Sequence, residues 1–111
     1  MGENVIQIKS FEFAIGVIRL YRKLQARQEF VLSPHVLRSG TGIGVKLEQA
    51  SAERDQQKCI DKILAALSEA REAKYWLRLL QESRLTDVDI SRELQQIEEI
   101  IQYLDEMVTR H

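Results

Sequence analysis

Three glycines separated by single residues stand near the middle of the chain, in the run Gly40-Thr41-Gly42-Ile43-Gly44. Glycine-rich loops bind phosphate groups, so this run raises the question of a nucleotide site. A phosphate-binding loop follows a strand and ends in Lys-Ser or Lys-Thr, whereas no strand is predicted here and Lys46 precedes Leu47. We therefore interpret Gly40 and Gly44 as helix-packing positions, because missing side chains let a second helix approach closely.

Residues suited to metal binding or catalysis are sparse. Di-iron four-helix bundles use Glu-x-x-His pairs, but neither His35 nor His111 follows a glutamate by three residues. Cys59 is the single cysteine, so it forms no intrachain disulfide, and its position in an apolar seam predicts a small buried residue. Glu69 and Glu72 are three residues apart on one predicted helix face, which is typical of solvated charge. The sequence therefore predicts no metal, no cofactor and no enzymatic activity.

Basic residues are concentrated in the first part of the chain. Residues 1–46 carry seven basic and three acidic groups, a net charge of +4, whereas residues 47–111 carry nine and fourteen, a net charge of −5. The candidates for contact with nucleic acid are Arg19, Arg22, Lys23, Arg27, Arg38 and Lys46. The first four recur with the spacing of one helix face, which fits either a solvated surface or a surface for the phosphate backbone of RNA or DNA.

The composition is that of one globular, helical domain. The 111 residues are 44% hydrophobic and 30% charged, with five Gly and one Pro, which excludes collagen-like, disulfide-stapled and disordered classes. A chain of this length holds one hydrophobic core, so residues 1–111 are predicted to form a single domain. The sequence has no apolar run of membrane-spanning length and no signal-peptide pattern, so we expect a cytoplasmic protein without membrane contact.

Apolar periodicity predicts four helices, at about residues 10–27, 33–51, 55–82 and 87–109. Ser10 and Ser33 are the expected N-caps of the first two, and residues 1–9 are expected to form an extended N-terminal arm. Apolar residues in the third and fourth helices recur at alternating steps of four and three, which indicates one buried seam on each. Short connections between such helices predict an all-α, antiparallel up-and-down four-helix bundle.

The first predicted helix is apolar over more than half of its circumference. One bundle core needs an apolar stripe of roughly 100° on each helix. The excess apolar surface predicts a second contact, with another subunit.

Several groups of residues, in order and at matching spacing, resemble the bacterial four-helix-bundle family named after proteins encoded in intervening sequences of 23S ribosomal RNA genes. They are residues 11–14 and 20–23, residues 30–33, residues 37–41 with Ile43-Gly44, and the later groups Ala66-Leu67, Glu69–Glu72 and Tyr75–Leu80. The resemblance covers residues 10–108. It implies an antiparallel four-helix bundle that assembles as a ring-like homopentamer and has no known enzymatic activity.

The resemblance also bears on partners. The accessory subunit of diversity-generating retroelements is a similar protein that binds RNA and a reverse transcriptase through a basic surface. The motif arginine is retained as Arg38, whereas Gly42, Lys46 and Gln49 stand where the family usually has Ser, Asn and Glu. We retain two hypotheses: a homo-oligomeric scaffold for structure or protein interaction, and a non-enzymatic accessory protein that binds RNA or DNA.

Overall fold

Four helices surround one core. A computed structural model describes the backbone of residues 2–110 and the side chains of residues 5–110; Met1 of the expected arm and the second histidine, His111, lie outside the described residues. The helices are α1 (Gly2–Ala26), α2 (Ser33–Ala52), α3 (Gln56–Ser83) and α4 (Ser91–Thr109), and the described part contains no strand. Each helix packs against the next and α4 closes against α1, within 44 × 20 × 20 Å. The predicted all-α fold with four helices is confirmed.

The first helix begins earlier than the sequence pattern suggests. Residues expected to form an extended arm are the first turns of α1. Ser10 is not an N-cap but lies inside the helix, 1% exposed, and its hydroxyl donates to the Gln7 carbonyl at 3.0 Å. The buried seam of α1 recurs at steps of four and three from Ile6 to Leu24: Ile6, Ser10, Phe13, Val17, Leu20 and Leu24. Because the polar Ser10 interrupts this apolar pattern, the spacing of apolar residues did not predict the first two turns of α1.

The start of α2 is capped by a glutamate from the preceding turn rather than by Ser33. The Glu29 carboxylate accepts hydrogen bonds from the Leu32 and Ser33 N–H groups at 2.9 and 2.7 Å, and Glu29 is only 6% exposed. The Ser33 hydroxyl instead donates to the Glu29 carbonyl at 2.7 Å. A carboxylate at a helix N-terminus pairs with free N–H groups and with the positive end of the helix dipole. Glu29 therefore takes the capping role that the sequence assigned to Ser33.

The boundaries of α3 and α4 are set by local capping hydrogen bonds and by one left-handed residue. The Asp55 carboxylate accepts from the Lys58 N–H at 3.0 Å, which is an N-cap at the predicted start of α3. Arg84 ends α3 in the left-handed region, with φ of 56°. Asp89 accepts from the Ser91 N–H at 3.0 Å, and α4 begins at Ser91, four residues after the predicted position.

The core contains the apolar seams that the periodicity of α3 and α4 predicts. Three fully buried alanines let the neighbouring helices approach α3 closely: Ala66, Ala70 and Ala73. The largest completely buried side chains include Phe13 of α1, Ile43 of α2, Leu77 of α3 and Leu104 of α4. Among residues 2–110, none of the helices combines the length and the apolar content that a membrane crossing requires.

Candidate interaction surface on α1 and α2

The surface of α1 opposite the core carries a second line of apolar side chains. Ile8, Phe11, Ile15 and Ile18 recur at steps of three, four and three, and they are 58%, 67%, 36% and 46% exposed. We call these four residues the outer strip. Single exposed apolar residues are ordinary on protein surfaces, whereas a contiguous group is typical of an interaction surface. The wide apolar surface expected for the first helix is thus present and faces solvent.

A groove between α1 and α2 lies beside the outer strip. It has a volume of about 560 Å³ and a mainly apolar lining, and we call it the α1–α2 groove. Its apolar lining comes from Ile8, Phe11 and Ala14 of α1 and from Gly44 and Val45 of α2. The carboxylates of Glu12 and Glu48 also border it.

The three central glycines of α2 have different surroundings. A Cβ at Gly40 would lie 2.9 Å from Val17 Cγ2, and one at Gly42 would lie 2.9 Å from Glu69 Oε2. A Cβ at Gly44 would meet nothing closer than Ser10 Oγ, at 3.9 Å. Gly40 therefore sits at a tight helix contact, whereas Gly44 does not, so the two do not form one packing motif within the protomer. Residues 40–44 lie within the continuous helix α2, so they do not have the backbone geometry of a phosphate-binding loop.

The outward surface of α1 is apolar along the outer strip and becomes basic towards the C-terminal end of the helix. Arg22 follows Ile18 by one turn and so extends the outer strip with a guanidinium group. Arg19, Arg22 and Lys23 are exposed around one shallow depression, and we call these three residues the basic cluster. Within the described residues, none of the three forms an ion pair, so their charges are available to an anionic partner.

Arg27 directly follows the C-terminal end of α1 and is paired with the connection between α3 and α4. Arg27 donates to Asp87, and this hydrogen bond together with the positive charge lowers the pKa of Asp87 below its usual range. The pKa of Asp89 is also lowered, chiefly by hydrogen bonds from the Ser91 N–H and hydroxyl and to a lesser extent by Lys23. Carboxylates therefore border the basic cluster on the side of this connection.

A polar network joins α2 to α3. Arg38 forms ion pairs with Glu69, at 3.6 Å, and with Glu72. The Trp76 indole N–H donates to Glu72 at 3.0 Å, and the Trp76 ring stacks on His35 with 4.3 Å between centroids. The two glutamates are therefore part of an inter-helix network, not the freely solvated charges that their spacing indicated. The sequence analysis did not find this network, although its five residues all lie within or beside the groups that carry the family resemblance.

Of the six predicted nucleic-acid contacts, three form the basic cluster and Arg27 is paired with Asp87. The basic cluster lies on the outside of α1, whereas Arg38 is paired to α3 and Lys46 is half-buried. Val45 and Ile8, which sequence analysis did not single out as site residues, belong to the exposed apolar surface. The signal that would have found Ile8 is its three-residue step to Phe11, which continues to Ile15 and Ile18.

Residues typical of metal or thiol chemistry are not gathered on this surface. Across the described part of the chain, no group of three or more His, Cys, Asp or Glu side chains is placed to hold a metal ion. Cys59 is not fully buried as its position in the apolar seam predicted: it is a half-buried free thiol at the edge of the core. It borders a cavity of about 340 Å³ together with Ile6, Leu47, Ile63 and Met107.

Two comparisons with known proteins agree on the family. The family model described as 23S rRNA-intervening sequence protein matches residues 3–107. A crystal structure of a protein of unknown function from the S23 ribosomal protein family of Bacteroides thetaiotaomicron is similar, with 35% sequence identity and a TM-score of 0.91. That match covers 98% of this chain and 99% of the other. No curated protein matches the chain. The chain therefore belongs to the 23S rRNA-intervening sequence protein family.

Proposed function

We propose that this protein is a non-enzymatic scaffold that assembles with copies of itself into a ring, with five subunits as the expected number. The outer strip is the observation that carries the proposal. Four large apolar side chains lie in one line on α1, and each is at least 36% exposed. Full burial of a large apolar side chain contributes about 1.5–3 kcal/mol, and a second copy that covers the exposed part of these four supplies a fraction of that for each.

The distribution of charge supports contact between unlike faces of two copies. The first part of the chain has a net charge of +4 and the second part −5, so α1 and α2 of one copy attract the acidic part of the next. A contact between unlike faces repeats from subunit to subunit, and it closes into a ring when the rotation per subunit divides a full turn. A closed ring repeats the surfaces that stay exposed in every subunit, which suits a scaffold that holds other macromolecules together.

Light scattering of the purified protein at micromolar concentration tests the assembly. We expect a mass several times 12.9 kDa, with fivefold as the expected value. Phe11→Glu should dissociate the assembly, because it introduces a charge into the outer strip, while the helical circular dichroism remains. Leu85→Glu is the matched control, because Leu85 is similarly exposed, at 58%, but lies outside the strip. A monomeric unmodified protein would overturn the proposal.

A second candidate function is RNA or DNA binding, which the basic cluster favours. Three neighbouring cations without ion pairs among the described residues are suited to phosphate groups. A ring would repeat this cluster in every subunit, so a modest charge on one copy becomes a large one on the assembly. Arg38 contributes less than the sequence suggested, because two glutamates already neutralise it.

A further inference from the structure

The two halves of the outer strip repeat one residue pattern with opposite charge. In residues 8–12, two apolar side chains three residues apart are followed directly by Glu12. In residues 15–19, the same arrangement ends in Arg19. Positions seven residues apart lie about two turns apart on the same side of a helix. The outward side of α1 is therefore apolar with a carboxylate in its first half and apolar with a guanidinium group in its second half.

The first half of the strip borders the α1–α2 groove, whose two charged lining residues are both acidic. Phe11 and Glu12 line the groove from α1, and Glu48 lines it from α2. Both carboxylates are exposed, and neither forms an ion pair with another described residue. The groove therefore suits an apolar segment that carries positive charge, whereas it repels the phosphate backbone of RNA or DNA.

The second half of the strip is a segment of that kind. We call Ile18, Arg19 and Arg22 the basic end of the strip. Ile18 is 46% exposed, and the two guanidinium groups are exposed without an ion pair among the described residues. Ile18 and Arg22 are neighbours one turn apart on the helix surface. One turn of α1 thus presents an apolar side chain beside two cations.

We propose that the α1–α2 groove of one copy of this chain binds the basic end of the strip of the next copy. The inference rests on the proposed self-assembly and identifies the two surfaces that meet in it. The incoming Ile18 covers Phe11, and the incoming arginines lie beside the two carboxylates of the groove. Charges that flank an apolar helix seam determine partner choice and orientation in the same way.

Continuity along α1 selects a second copy as the occupant of the groove. One contact covers both halves of the outer strip, because each copy binds at its first half and is bound at its second. The same contact gives two free carboxylates and two free guanidinium groups their ion-pair partners. The groove and the basic end are different parts of one chain, so the contact repeats from copy to copy, as a ring requires.

Charge reversal on each surface tests the contact. Glu12→Lys/Glu48→Lys reverses the charge of the groove. Arg19→Glu/Arg22→Glu reverses that of the basic end. Each double variant should weaken association about tenfold or more, because like charges then face each other. The variant with all four substitutions should regain the association of the unmodified protein, since the facing charges are again opposite. Sedimentation velocity over a range of concentrations measures the dissociation constants, and circular dichroism verifies the helices.

Lys58→Glu/Lys62→Glu on α3 is the matched control. It changes the net charge as the reversal of the basic end does, but it lies outside the groove and the strip. Alone it should leave association unchanged, and combined with Glu12→Lys/Glu48→Lys it should not restore association. Restoration by this control would show that only the net charge matters, and it would overturn the proposal.

The outcomes separate this contact from self-assembly itself. An oligomeric unmodified protein that neither reversal affects overturns the contact and leaves self-assembly in place. Restored association that reaches only twice 12.9 kDa supports the contact and overturns the ring. A monomeric unmodified protein overturns both the contact and the assembly.

Two further results contradict the contact. If reversal of the basic end abolishes binding of RNA or DNA but leaves association unchanged, the cations serve nucleic acid and not the groove. If a reversed variant does not fold, Glu12→Gln/Glu48→Gln and Arg19→Gln/Arg22→Gln decide the question, because each removes the charge without inverting it. Unchanged dissociation constants for both folded glutamine variants overturn the proposal.

Discussion

The helices α1 and α4 are neighbours in the bundle, yet their outward surfaces differ: that of α1 is apolar and that of α4 is polar. Both bury one seam with steps of four and three residues, which includes Val17 on α1 and Leu104 on α4. The large apolar side chains that are exposed among the described residues include four in the outer strip of α1 and none between Ser91 and Thr109. The burial that α4 requires is therefore met inside one protomer, whereas that of α1 is not.

Ion pairs emphasise the contrast. The outward side of α4 is joined to α3 by Lys74–Glu98 at 3.3 Å and by Arg71–Asp105 at 3.0 Å. Such exposed pairs contribute about 0–1 kcal/mol each, so their main consequence is a surface that suits water. On α1, the outer strip and the unpaired basic cluster suit a partner instead. Two helices with similar core spacing thus differ in the surface that they present outside the bundle.

The largest effect should come from the shared seam. Leu104→Ala removes a completely buried side chain from α4 and should lower the free energy of unfolding by about 2–5 kcal/mol. Ile18→Ala on the outer strip, where the side chain is 46% exposed, should lower it by less than about 1 kcal/mol. Urea unfolding in the Phe11→Glu background measures both, because that background isolates the protomer. Equal losses would show that the outer strip is already buried within one chain.

A smaller effect is expected at the basic cluster, where the contrast concerns charge. The double reversal Arg22→Glu/Lys23→Glu should abolish RNA and DNA binding at about 50 mM salt, since contacts to phosphate release counterions and depend steeply on salt. Binding by the unmodified protein should be weakly specific for sequence. Fluorescence anisotropy with labelled RNA and DNA measures both properties.

Lys58→Glu/Lys62→Glu on α3 is the matched control for that reversal, because it changes the net charge equally on another helix. It should retain most of the binding, and both double variants should retain their helical circular dichroism. If the unmodified protein binds neither RNA nor DNA at about 50 mM salt, the nucleic-acid function is wrong and the scaffold function remains.

The smallest effect is expected where α1 faces α4. A Cβ at Gly16 would lie 3.7 Å from Gln96 Oε1, an ordinary contact, so Gly16→Ala should stabilise α1 by up to about 1 kcal/mol. The control Gly40→Ala should destabilise, because its Cβ would lie 2.9 Å from Val17. Differential scanning calorimetry measures both shifts. A lower unfolding temperature for Gly16→Ala would mean that α1 and α4 approach more closely than their side chains indicate.

The sequence by itself determined the number of helices, their class and the buried seams of α3 and α4. These features are local, because the spacing of apolar residues along one helix decides which side is buried. The same spacing predicted the wide apolar surface of α1, and the residue groups carried the family resemblance. Local pattern failed at the start of α1, where a single buried serine interrupted the seam.

Only the tertiary structure decided the roles of individual side chains. Arg38 and Arg22 look alike in sequence, yet one meets two glutamates of α3 and the other meets no carboxylate among the described residues. Gly40 and Gly44 also look alike, yet one touches Val17 and the other borders an open groove. These differences depend on which distant segment lies within a few ångströms. Helix packing fixes that neighbour, whereas periodicity along one helix fixes only the direction in which each side chain points.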